Sequence, residues 1–386
     1  MDGNQNPEPT DDSIDRIPVL RPLLPDAGRL LSYLRRIDAR RTYTNWGPLT
    51  SELEARLAGH FGLPAGCVTS AGSGTAALVG AILAAAGRAT AERPLAIVPA
   101  FTFVATPLAA EQCAFRPYLV DVDADSWLVQ VEALERHPRL EQVGLVVPVA
   151  PFGRAVPQAP WLEFRRRTGI AVVIDGGASF EAVSADPARF LGEIPVALSF
   201  HATKSFSTAE GGCVVTTDGR LSPNAIQALN FGFFDTRDCR SASTNGKMSE
   251  YHAAVGLAEL DAWPAKSEAL RRVADAYRRG FDAAGLGDRV SVAPVVAGCY
   301  ALFRCAHASE ADGVLRSLAR SNVESRLWYG HGLHRQPYYT DVLRDNLPVT
   351  DRIAPLVMSL PVAPDLPEAS IQRVVAAVVQ AVRGRC

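Results

Sequence analysis

The chain has 386 residues, 48% hydrophobic and 21% charged, with 39 basic against 41 acidic side chains and a net charge of −2. That balance leaves no electrostatic footprint for a nucleic acid or an anionic membrane, and the length suits one large domain plus a smaller one. Seven widely spaced cysteines without a C-x-x-C argue against a disulfide framework or a zinc knuckle and fit a reducing cytoplasm.

Residues 1–16, "MDGNQNPEPTDDSIDR", are acidic and polar, with neither the basic nor the apolar region of a signal peptide. They predict a disordered tail. From residue 17 the pattern predicts an extended arm and an amphipathic helix. In "YTNWGPLTSELEARLAGHFG", Thr50 ahead of Leu53 and Leu57 predicts a capped helix that stops at Gly62. Seven short apolar runs follow, at 67–70, 95–100, 117–123, 143–150, 170–175, 196–200 and 213–217. Most are separated by stretches long enough for a helix, which predicts a mainly parallel seven-stranded sheet covered on both faces. The last run follows its predecessor too closely for a helix, so an antiparallel return is expected there. The longest apolar stretch, "AALVGAILAAAG", is too short to span a bilayer.

A long helix is expected over 266–285, then strands in "RVSVAPVVAGCYALFRCAH", a helix near 309–320, and a closing helix in "EASIQRVVAAVVQAVRG". This irregular order predicts a smaller α+β domain at 264–386, after a large domain at 17–263, with the boundary near Trp263 and Pro264.

One cation interrupts the final pair of apolar runs: Lys204, in "SFHATKSFSTAEGG". Three other features bear on it. "SAGSGTAAL" leads small residues into a very apolar helix, and backbone N–H groups there, with the Ser73 and Thr75 hydroxyls beside Gly74, make a phosphate cradle. It is not a P-loop, and such Gly-rich turns also occur at ordinary helix starts. Asp175 ends the strand "IAVVID", the end at which α/β sheets bind ligands, although a strand-end aspartate can equally be a cap. In "PAFTFVAT", Phe103 is either a core residue or a stacking platform for a planar ring. Together the parts fit pyridoxal 5'-phosphate (PLP). That cofactor needs a lysine for a Schiff base, a carboxylate opposite its pyridinium nitrogen, and an anion site for its phosphate.

These segments resemble the DegT–StrS family of sugar aminotransferases, which have the aspartate-aminotransferase fold (PLP-dependent fold type I). The matching stretches are "TNWGPLTSELEARLAGHFG", "SGTAAL", "PAFTFVAT", "VIDGGASF", "SFHATKSFSTAEGG" and "TNGKMSEYHAAVGLAELD", in order over roughly residues 44–261. The resemblance implies that Lys204 carries PLP and that Ser199, Gly74 and Thr75 touch its phosphate. It further implies that Phe103 stacks on the ring, that Asp175 holds the ring-nitrogen proton, and that Asn245 reaches the phosphate of a neighbouring subunit in a homodimer with shared sites. His201, between Ser199 and Lys204, either orders this pocket or is structural.

Two departures stand out. Ala178 occupies a position where the family often carries Gln or His, and Lys247 stands where arginine is common. Members that dehydrate at C3 have histidine in place of the lysine, so an intact Lys204 implies a transaminase. The implied reaction moves an amino group from an amino acid, with glutamate the expected donor, to a keto-sugar linked to a nucleotide, by way of pyridoxamine phosphate. A cyclitol aminotransferase and a non-catalytic PLP-binding regulator are the alternatives. His331 and His334, in "YGHGLHRQPYY", have no carboxylate at metal-ligand spacing and are expected in a surface loop over the site; no metal is expected.

Overall fold

The computed structural model describes residues 16–384. The expected tail, apart from Arg16, lies outside them. Each apolar run becomes a strand: β1 Val68–Ala71, β2 Leu95–Pro99, β3 Arg116–Val120 and β4 Val143–Val146, then β5 Ala171–Val172 and β6 Ile174–Asp175, then β7 Val196–Ser199 and β8 Gly212–Val215. Strands β3, β2, β4 and β5 lie side by side in parallel. Strand β6 pairs in parallel with β7, whereas β8 runs antiparallel to both β7 and β1. β5 and β6 are two halves of one extended segment. Val149, just past β4, pairs with Asp175, so a single twisted sheet continues across the break at Val173.

The alternation of side chains explains why these strands read as continuous apolar runs. On β2, Leu95 and Ile97 enter one core cluster with Leu53, Leu57 and Phe206, while Ala96 and Val98 enter the other with Leu78 and Ile82. Both faces are buried, so neither set can be polar. The helix Gly74–Ala85 lies on the second face, and a side chain at Gly80 would meet the Leu229 side chain at 2.8 Å.

The helix Pro48–His60 departs from the expectation. It begins two residues before Thr50, with Gly47 at its N-cap and no side-chain cap of its own. Glu250 does the capping: its carboxylate accepts from Leu49 N–H at 2.8 Å, Thr50 N–H at 2.9 Å and the Thr50 hydroxyl at 2.6 Å. Gly62, with φ +66°, does follow the helix end.

Glu250 opens a helix that runs unbroken to Ala283 through Pro264. Ala254 and Trp263 on its first half pack into the large core, and Val273 and Tyr277 on its second half into a separate cluster with Phe303 and Met358. The place where the lobes were expected to divide therefore falls inside one helix. The second cluster covers a small antiparallel sheet of β9 Val290–Ser291, β10 Ala301–Arg304 and β12 Val357–Leu360. Two excursions tie the lobes together. Ile17 and Leu20 pair with Val323 and Val362 of the small lobe, and β11 Leu343–Arg344 returns to the edge of the large sheet beside β3. No described helix is long and apolar enough to cross a membrane.

Candidate active site

The carboxyl ends of β6 and β7, the start of the helix Gly74–Ala85 and the loop before β8 open onto one cleft of about 500 Å³. Lys204 sits on that loop. Backbone bonds from Phe200 to Gly211 (2.8 Å) and from Ala202 to Ala209 (2.7 Å) fold it back on itself. Its anchor is Phe206, fully buried, whose ring stacks on Phe180 at 4.4 Å and meets Phe200 at 5.1 Å. Lys204 Nζ lies 3.3 Å from the Tyr300 hydroxyl, and burial pushes that phenol well above its usual range. Tyr300 is therefore neutral and able to accept from the amine.

Asp175 lies half-buried in the same cleft. Its Oδ2 accepts from the Thr106 hydroxyl at 2.7 Å, which in turn pairs with Thr102 at 2.8 Å, and its Oδ1 accepts from Gly177 N–H at 3.0 Å. Burial raises its pKa, while the Thr106 and Gly177 hydrogen bonds and the Lys204 charge pull it back. A carboxylate in this condition gains from a cationic donor placed against it, which is what a protonated pyridine nitrogen offers.

The helix start fits a phosphate for a steric reason. A Cβ on Gly74 would lie 2.5 Å from Ser199 Cβ, and one on Gly212 would lie 2.9 Å from Gly74 Cα. Helix and strand backbones thus approach as closely as glycine allows, with Ser199 and Thr75 lining the cleft beside them. Ser73 Oγ accepts from Ala76 N–H at 3.1 Å as the helix cap, which leaves its hydroxyl proton free to donate. Phe103 is 54% exposed on the cleft wall, a wasteful position for a core ring and a suitable one for stacking. The residues present fit PLP: Gly74, Thr75, Ser73 and Ser199 would hold its phosphate, Phe103 its ring face, Asp175 its ring nitrogen and Lys204 its aldehyde carbon.

The other sequence candidates fall outside this set. His201 is exposed at the cleft edge, its Nδ1 2.8 Å from Thr203 Oγ1 and its Nε2 3.6 Å from a Glu210 oxygen. Asn245 is exposed and is not part of the cleft of its own chain; it accepts from Lys247 Nζ at 2.6 Å. His334 is buried and pairs with Asp351 at 2.9 Å, so it braces the chain rather than facing solvent, and His331 is exposed. Ala178 lines the cleft and brings no polar group to it.

Several functional neighbours escape a sequence reading. Thr106 closes the quoted "PAFTFVAT" and had a local signal; Tyr300, Trp328 and Tyr329 come from the small lobe and had none. Behind Lys204, Glu181 accepts from Ser205 Oγ at 2.8 Å and from Gly298 N–H at 2.7 Å, and Ser205 Oγ accepts from Cys299 N–H at 3.1 Å. Glu181 thereby ties the lysine loop to the strand approach that carries Tyr300. Burial raises its pKa against those bonds.

The chain is similar to known proteins over nearly its whole length. The family model of the DegT/DnrJ/EryC1/StrS aminotransferases matches residues 26–379. Protein Rv3402c of Mycobacterium tuberculosis is 34% identical over 390 residues, covering 98% of this chain and 93% of its own. A dTDP-4-amino-4,6-dideoxy-D-glucose transaminase of Escherichia coli is 25% identical, covering 93% and 96%. The crystal structure of DesI in the presence of its TDP-sugar product superposes with a TM-score of 0.83 at 30% identity, covering 96% and 94%.

Gly74→Ala tests the steric cradle. Its new methyl meets a side chain fixed on a central strand, so Ser199 must shift. We expect PLP to bind at least about tenfold more weakly, the scale of one charged hydrogen bond, with the far-ultraviolet circular dichroism unchanged. Titration of the apoprotein with PLP, followed by absorbance, measures it; unaltered affinity would mean that the phosphate lies elsewhere.

Proposed function

Since the chain belongs to the DegT/DnrJ/EryC1/StrS aminotransferase family, we propose that it moves an amino group from an amino acid, glutamate in the first instance, to a keto-sugar carried on a nucleotide. The enzyme is a PLP-dependent aminotransferase of fold type I. The observation that carries the assignment is Lys204 and Asp175 brought into one cleft beside a glycine-lined helix start. The sugar nucleotide is supported by the E. coli relative and by the DesI structure, whose names specify dTDP- and TDP-sugars.

Bound PLP supplies a carbonyl that captures amines and a ring that withdraws electrons from the carbon beside them. Asp175, whose oxygens accept from Thr106 and Gly177, would hold the ring nitrogen and its proton and so keep the ring electron-poor. Lys204 Nζ would hold the cofactor's carbonyl carbon at rest and, once freed by the donor amine, would carry a proton between the donor or acceptor carbon and the cofactor. The Tyr300 hydroxyl, 3.3 Å away, accepts from Nζ and would keep the freed amine in the cleft. Phe103, exposed on the cleft wall, would cover the ring face and limit water. One carbonyl reacts at a time, so the two half-reactions are separable.

The proposal includes a homodimer in which Asn245 of each copy reaches the phosphate in the other. Its exposure outside its own cleft supports this, and a two-fold pair supplies the same segment to both sites. The six described cysteines are unpaired, which suits a cytoplasmic enzyme.

Separate half-reactions test the chemistry. L-glutamate alone should bleach the visible absorbance of the lysine-bound cofactor, and a dTDP-4-keto-6-deoxy sugar should restore it. Restoration by a keto-inositol but by no sugar nucleotide would move the enzyme to the cyclitol class. Absence of bleaching by any amino acid would leave a PLP-binding regulator.

Mixed chains test the sharing of sites. A Lys204→Ala chain and an Asn245→Ala chain, each inactive alone, should regain activity when exchanged into mixed dimers, because both lesions then fall in one site. Continued inactivity in demonstrably mixed dimers would place Asn245 in the service of its own subunit.

A further inference from the structure

Three side chains in the cleft can carry positive charge: Lys204, His201 and Arg326. Lys204 is committed to the cofactor, and His201 is engaged with Thr203 and lies near Glu210. Arg326 has no carboxylate partner among the described residues and is exposed at the cleft wall. It is nevertheless held. Its backbone exchanges two hydrogen bonds with Ser359, at 3.2 and 2.8 Å, and its guanidinium carbon lies 4.9 Å over the Trp328 ring. Trp328 in turn meets Tyr300 at 6.1 Å, and Tyr300 receives Lys204 Nζ. A row of aromatic contacts therefore leads from the reactive amine to a pre-oriented guanidinium fork. The Trp328 indole N–H beside it is buried and has no acceptor among the described residues.

A guanidinium fixed on an aromatic face but lacking an anion is costly only in what it leaves unmet. Its planar donors match two oxygens of a carboxylate or a phosphate at once. Neither PLP nor the residues assigned to it above require this group. The inference rests on the aminotransferase reading only for which anions enter the cleft.

We propose that Arg326 is the anion receptor of the substrate side of the cleft, taking an oxyanion pair from the substrate, with Trp328 as the platform that aims it. Two substrates of the reaction carry such a pair: the amino acid with its 2-oxo acid, through a carboxylate, and the sugar nucleotide, through its diphosphate.

The test is calorimetric binding of 2-oxoglutarate, of dTDP and of UDP to the holoenzyme, for the native chain, Arg326→Met and Arg326→Lys. Arg326→Met should weaken at least one probe about tenfold or more, the scale of one charge-assisted pair, and Arg326→Lys should recover part of the loss. Loss confined to 2-oxoglutarate assigns the carboxylate; loss confined to the nucleotides assigns the diphosphate. Identical affinities in native and Met chains overturn the proposal, as does failure of the native holoenzyme to bind any of the three. An unchanged cofactor absorbance in each variant shows that the site is intact. Failure of the aminotransferase reading is seen separately, as the absence of bleaching by amino acids in the native chain.

Discussion

The stack of Phe180 on Phe206, with centroids 4.4 Å apart and planes within 9°, is the contact on which the site depends. Phe180 opens the short helix that follows Asp175, and Phe206 lies two residues past Lys204. The two chemical groups thus come from segments that share one apolar anchor, closed from the side by Trp263 at 5.0 Å from Phe180. Burying a large side chain contributes about 1.5–3 kcal/mol, and an aromatic pair adds about 0.5–1.5 kcal/mol. This anchoring adds to the backbone hydrogen bonds that fold this loop of small and hydroxyl residues back on itself. It also explains how a lysine comes to stand between two buried strands. The loop is folded around its hydrophobic residue, and the lysine is what remains facing the cleft.

Electrostatics then selects the occupant. Moving a carboxylate out of water costs several kcal/mol, and each hydrogen bond to a charged group returns about 1.5–3 kcal/mol. Asp175 has two such bonds, from Thr106 and Gly177, and burial still raises its pKa. The remaining imbalance favours a positively charged donor in the cleft. Glu181 meets the same problem differently: Ser205 and Gly298 satisfy one oxygen, and the result is a brace between lobes. Two half-buried carboxylates six residues apart therefore have different roles. One faces the cleft, and the other faces the protein.

Much of this was legible in the sequence because it is local. Continuous apolar runs such as "LAIVP" record burial on both faces, and the short step from β7 to β8 leaves room only for an antiparallel return. Asp175 and Gly74 sit at a strand end and a helix start, Lys204 and Phe103 in loops that follow strand ends, and the structure brings all four to the cleft. What was not legible comes from far along the chain. The cap of the helix Pro48–His60 is supplied by Glu250, so the local choice of Thr50 named a recipient of the cap instead of its source. His334 was placed in a surface loop, but its partner Asp351 lies on a later helix and draws it inside. Tyr300, Trp328 and Arg326 approach the cleft from the small lobe, whose irregular order of strands and helices carries no spacing rule from which their convergence follows.

The chemistry of the cleft turns on Lys204 as the point of attachment. Borohydride reduction of the holoenzyme, digestion and mass mapping read it directly. One pyridoxyl group per chain is expected, on Lys204, and no label in the Lys204→Ala chain. A label on Lys247, Lys266 or any other amine of the native enzyme would contradict it.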